Sequence, residues 1–318
     1  MFLESFKITV SGVAQIFILG AIGYFLLKKK ILSSAGLTSL SRIVIDITLP
    51  ILIFCQLLKD FNFRLYPDWW TFPLISIAIT AIGLMIGFVF SGLVKGEEHK
   101  RQFLSLVAFQ NSGYLPLALI AALLPPDKLS VMFIYLFLFL SGFNLAMFSY
   151  GAQIISFQKK TRLELAGLFS PPVIATALGL LVVYLGLNKF MPEVALKPLS
   201  LVGDCTLPLA MFVVGANLAE IRLTHINRKE MFLALLAKLV ILPALGLVLV
   251  LKLKLPELVG LLIVMQLAMP PATLLSVLTR HYKKDDLLVS QGIFLGHIAS
   301  IITIPVFLSL YFSLSVIK

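Results

Sequence analysis

Asp46-Ile-Thr-Leu-Pro50-Ile-Leu-Ile-Phe54 and Asp204-Cys-Thr-Leu-Pro208-Leu-Ala-Met-Phe212 are two versions of one motif. Five of the nine positions are identical, including an aspartate and a proline that a lipid-facing helix avoids. Leu and Phe can match by composition alone, but D-x-T-L-P does not recur that way at a separation of 158 residues. A second pairing has almost the same offset. Phe109-Gln110 precedes Pro116, and Met265-Gln266, 156 residues later, precedes Pro270 and Pro271. The chain therefore reads as an internal repeat about half its length.

The solvent of that repeat follows from composition. Of 318 residues, 59% are hydrophobic and 13% charged, about half the charged share of an ordinary globular domain. So few charges do not cover a soluble surface, which excludes a soluble enzyme. Lipid must solvate most of the exterior. With about 20 apolar residues needed per crossing, ten spans are expected, at 8–27, 38–58, 72–94, 102–123, 130–155, 167–187, 198–218, 231–251, 258–279 and 287–312. Cys55 and Cys205 both sit in apolar runs, so neither a disulfide framework nor a zinc spacing is present. No phosphate-cradling loop or HExxH occurs, and no cofactor is expected.

The charges orient the spans. The loops after spans 1, 3, 5, 7 and 9 carry fifteen Lys and Arg, whereas the termini and the other four loops together carry nine. The positive-inside rule then puts both termini outside a cell membrane, plasma or bacterial inner. The first span has one basic residue before it (Lys7) and Lys28, Lys29 and Lys30 after it, the reverse of a secretory signal. It reads as a retained span. The net charge of +11 marks topology and is no nucleic-acid footprint. Five spans per half is an odd number, so the second half enters the membrane upside down. The expected fold is all-α, with repeats at 1–155 and 167–318 joined by a cytoplasmic linker at 156–166. Inverted repeats with helices broken near the midplane are the mark of secondary transporters.

The breaks are expected in spans 4 and 9, which would cross. Span 4 reads Ala108-Phe-Gln110-Asn111-Ser112-Gly-Tyr114-Leu-Pro116, and span 9 contains Met269-Pro270-Pro271-Ala272. Polar side chains, glycine and proline at mid-span interrupt a helix, and freed backbone groups are tolerated only inside protein or beside a cavity. Packing kinks are the alternative. Half-helices starting near Pro116 and Pro271 would aim N-terminal amides at the midplane, a setting for an anion such as a carboxylate. Gln110, Asn111, Ser112, Tyr114 and Gln266 would add polar groups there. Five ionisable groups lie within spans, Arg42, Asp46, Asp204, Lys238 and His297, and the last four are the candidates for function. Asp46 and Lys238 lie at similar depth and can form an ion pair. Asp204 lacks an obvious basic partner and is the better candidate for protonation, with His297 a second titratable group.

These residues resemble the auxin efflux carrier family, which includes plant PIN-type carriers and bacterial carriers of malate- or malonate-like acids. Ala268-Met-Pro270-x-Ala272 leading to Tyr282 resembles the family's second crossover, and Asp204 through Ala210-Met211-Phe212 to Gly215 resembles its D-x₅-A-M-F-x-x-G segment. Asn111-Ser112-Gly113-Tyr114 matches its asparagine-bearing first break, although Pro116 stands where the family has a glycine. The resemblance implies ten spans, crossed broken helices, a scaffold and a moving transport domain as in an elevator, and frequently a homodimer. The expected function is a carrier or permease for a small organic anion, working by alternating access. A sodium- or proton-coupled symporter of related bile-acid-transporter-like architecture, and a channel or membrane sensor, are the rival readings.

Overall fold

The computed structural model describes residues 2–156, 169–221, 223–224, 227–282 and 285–315. Beyond Ser156, the linker expected at 156–166 lies outside these residues. The described chain is helical throughout and has no named strand. Seven helices are long and apolar enough to cross a membrane: α1 Phe2–Lys28, α2 Ser34–Asp60, α3 Thr71–Ser91, α6 Pro126–Ile155, α8 Glu193–Glu220, α9 Arg228–Leu253 and α12 Leu287–Ser315. The expected spans 4, 6 and 9 fall on shorter pieces. These are α4 Glu97–Ala108 with α5 Tyr114–Leu123, α7 Pro171–Tyr184, and α10 Glu257–Ala268 with α11 Leu274–His281.

The repeated motif distorts its helices in a way that proline explains. A helical proline lacks an N–H, and its ring crowds the carbonyl four residues back. In α2 that carbonyl belongs to Asp46, and the helix widens into a π-turn over Val44–Thr48 just before Pro50. In α8 it belongs to Asp204, where the first half of the helix stops, Cys205 caps it, and a second half begins at Thr206. Pro243 acts alike in α9, with a π-turn over Ala237–Ile241.

Packing divides the helices into groups. α2 packs on α7 and on the first half of α8, while α3 packs on α4 and α6. α10 lies between α9 and α12, and α1 lies along the second half of α8 and along α12. The α1–α8 contact depends on small residues. A side chain at Gly215 would overlap the carbonyl of Gly20, so the two backbones touch. At the α3–α4 contact, a Cβ at Gly83 would stand 2.8 Å from the Cα of Ala108, the last residue before the break in span 4.

Candidate functional site

Both helix breaks run over five residues, Phe109–Gly113 and Met269–Thr273. Phe109 and Met269 each turn to an extended backbone as α4 and α10 end. The breaks then pass antiparallel to one another, with Gln110 opposite Pro271. The Asn111 amide donates to the Pro270 carbonyl at 2.8 Å, and the Ala272 amide donates to the Phe109 carbonyl at 3.0 Å. Pro270 and Pro271 have no N–H to satisfy, so two bonds suffice to hold the crossing. In a bilayer no solvent could replace them.

Side chains extend the crossing. Gln266, one turn inside α10, donates through Nε2 to the Ser112 carbonyl at 3.1 Å. Asn111 Nδ2 lies 3.4 Å from His297 Nε2 on α12. Five further buried polar atoms have no hydrogen-bond partner among the described residues: both amide atoms of Gln110, Ser112 Oγ, Tyr114 Oη and Gln266 Oε1. Native interiors seldom leave such groups unpaired. Their concentration at one crossing marks a place for polar ligation.

A cavity of about 450 Å³ leads to them. Its polar end is Gln110 to Tyr114, its walls are mostly apolar, and Arg42, Glu220 and Arg280 line it as well. It shares Asn217, Glu220, Thr273 and Arg280 with a vestibule of about 1160 Å³ lined by Lys28, Lys30, Asp285 and Asp286. The crossing is thus reached from the side that carries Lys28 and Lys30.

Several expectations change on this geometry. Half-helices do start near Pro116 and Pro271, at Tyr114 and Leu274, but Pro116 is not the first residue of its helix. It is the third residue of α5, whose N-cap is Gly113, and in a first turn its missing N–H leaves nothing unpaired. Pro271 lies inside its break, and α11 is capped by Thr273. Break matches break at an offset of 160, so Gln266 is not the counterpart of Gln110 but a residue reaching across from the preceding helix. No Asp46–Lys238 pair forms. Lys238 is buried and donates to the Val107 carbonyl at 3.2 Å, near the end of α4, whereas Asp46 is exposed. Asp204 is exposed as well, and neither aspartate lines the cavity. Asn144 and Asn217 do line it, and sequence reasoning passed over both. A polar residue inside an apolar span was the available signal. Arg42, within span 2, carried the same signal, whereas Arg280 lies just beyond span 9 and only the fold brings it to the cavity.

Residues 8–308 match the family described as membrane transport protein. The chain belongs to this family, the auxin efflux carriers. It is a multi-pass membrane protein of a transport family. Among curated relatives it is 31% identical to Protein PIN-LIKES 6 of Arabidopsis thaliana over 124 residues, covering 38% of this chain and 29% of that one. It is 27% identical to an uncharacterized transporter of Schizosaccharomyces pombe over 157 residues, covering 44% and 35% of the two chains. The matched part spans about a third of each relative's length.

Proposed function

We propose that this membrane transport protein is a secondary carrier of a small organic anion, a carboxylate, which it binds at the crossed breaks and moves by alternating access. The observation that carries this reading is the crossing itself. Two interrupted helices are bonded backbone to backbone, and unpaired polar atoms cluster at the end of a cavity that shares part of its lining with the vestibule of Lys28 and Lys30. The first-turn amides of α5 have no side-chain cap and lie beside Asn111 and Ser112, which suits an anion. Arg42 and Arg280 add positive potential along the approach.

The ten-span inverted repeat belongs to the same reading. It is supported by the two D-x-T-L-P helices, distorted at matching places, and by two five-residue breaks. With the lysine-rich loops in the cytoplasm, the cavity faces inward. Uptake and counterflow in proteoliposomes, across a panel of mono- and dicarboxylates with and without sodium and pH gradients, test the reading. Saturable counterflow of a carboxylate is expected. Flux that neither saturates nor exchanges would make the protein a channel, and binding without flux a sensor.

A further inference from the structure

The contact between Asn111 and His297 links two cavities, one lined by the asparagine and the other by the histidine. On one side is the 450 Å³ cavity of the crossing. On the other is a largely apolar cavity of about 250 Å³ whose lining includes the buried imidazole of His297 and the side chain of Tyr24. The ring's two nitrogens have different partners, and they fix its hydrogens. Nδ1 lies 2.8 Å from the Ile293 carbonyl, which can only accept, so Nδ1 carries the proton. A neutral ring then leaves Nε2 as an acceptor. Only the amide N–H₂ of Asn111 can face it, and that is the arrangement found at 3.4 Å.

The consequence is at the other end of the same amide. With Nδ2 turned to the histidine, Oδ1 is the end left for the crossing, and it opposes a carboxylate. Protonation at Nε2 makes both ring nitrogens donors. Nε2–H then requires Oδ1, the amide turns over, and its N–H₂ is offered to the cavity. The turn needs no backbone movement, because the Asn111 amide stays bonded to the Pro270 carbonyl.

We propose that His297 is a positioning residue that couples a proton to the anion: a proton taken from water at Nε2 turns Asn111 into its anion-binding orientation, and proton and anion travel and leave together. One proton accompanies each anion, and the gradient sets the direction. The inference rests on the crossing being the anion site.

The surroundings leave His297 to respond to this partner. α1 presents Tyr24 to its cavity, while α5, α8 and α12 itself present no charged side chain there. Several charged groups on the helices packed against α12 have partners of their own. Lys238 of α9 donates to the Val107 carbonyl, and Glu230 of α9 meets His99 of α4. Glu257 of α10 pairs with Lys128, and Arg280 of α11 faces Asp286 at the mouth of α12, with His281 beside it at the end of α11. Among the described residues none of these forms an ion pair with the ring.

The chain has four histidines, so ¹⁵N-histidine NMR of the full protein in nanodiscs, with His297→Gln to identify the signal, reads this ring directly. At about pH 8 the Nδ1–H tautomer is expected. Asn111→Asp, which sets a carboxylate against Nε2, should convert the ring at that pH to the doubly protonated form. An Nε2–H tautomer in the wild type, or an unchanged ring in Asn111→Asp, overturns the proposal. Benzoate, ionised throughout the range, is then the probe of coupling. Its affinity should fall up to about tenfold per pH unit as pH rises, with about one proton taken up per benzoate bound. Both effects should vanish in His297→Gln while the thermal midpoint stays within a few degrees. Benzoate binding with the same pH slope in His297→Gln refutes the coupling and leaves the crossing site intact. A ring that answers Asn111→Asp while benzoate binds equally well to wild type and Asn111→Ala removes the crossing as the anion site and leaves the His297–Asn111 contact standing.

Discussion

Asn111 carries most of what can be tested at the scale of one residue. A hydrogen bond to a charged group contributes about 1.5–3 kcal/mol, which is roughly ten- to hundred-fold in affinity. Asn111→Ala should raise the apparent dissociation constant of a transported carboxylate by that order, with the thermal midpoint little moved. Calorimetric titration of the purified protein checks this, and an unchanged constant would take the anion away from the crossing. Lys238 poses the opposite case. Its ammonium is buried with one carbonyl for company, and removing a poorly paired buried charge often leaves stability level or improved. Lys238→Met should therefore unfold at or above the wild-type temperature. A drop of several degrees would mean that the bond to Val107 secures the end of α4.

At the scale of elements, the sequence revealed which helices break but not how. Gln, Asn, Gly and Pro inside apolar runs announced both interruptions. The mutual pairing of the breaks was invisible, because the partners of Asn111 and Ala272 are remote in the chain and are backbone atoms that no side-chain pattern encodes. Pro116 located its half-helix only to within a turn, since a proline in a first turn costs nothing and signals a helix start already made. Asp46 and Lys238 shared a depth, but depth does not give rotation about a helix axis, and they face different surroundings. The α1–α8 contact offers a sharper test. A side chain at Gly215 would collide with the Gly20 carbonyl, and overpacking typically costs about 1–3 kcal/mol. Gly215→Val should lower thermal stability accordingly in detergent. Gly83→Ala presses on the Ala108 backbone instead. It should weaken anion binding more than it lowers the melting temperature, because it displaces the end of α4 where the break begins.

For the whole molecule, the orientation of charge and the opening of the cavity make one joint prediction. The vestibule is lined by Lys28 and Lys30 of the first lysine-rich loop. A cysteine at Asn217, tested in an otherwise cysteine-free protein, should react with a membrane-impermeant maleimide only from the cytoplasmic face when the carrier is in this conformation. Cysteines at the two termini should react only from outside. Termini labelled from the cytoplasm would reverse the charge argument and the inverted-repeat reading together, because both rest on the same count of crossings.

The paired breaks also impose a timetable on synthesis. The carbonyl that takes the Asn111 amide lies some 160 residues further along the chain. At about 5–20 residues per second, the first broken helix waits roughly ten to thirty seconds in the translocon's neighbourhood with its backbone open. Nothing made before it can close that gap, so a ribosome stalled at the middle of the message should leave a half that proteases and chaperones recognise. Residues 1–156 expressed alone should be degraded, and a separately encoded second half should rescue them. Pulse–chase labelling of the two fragments, singly and together, would show whether each half persists only in the company of the other.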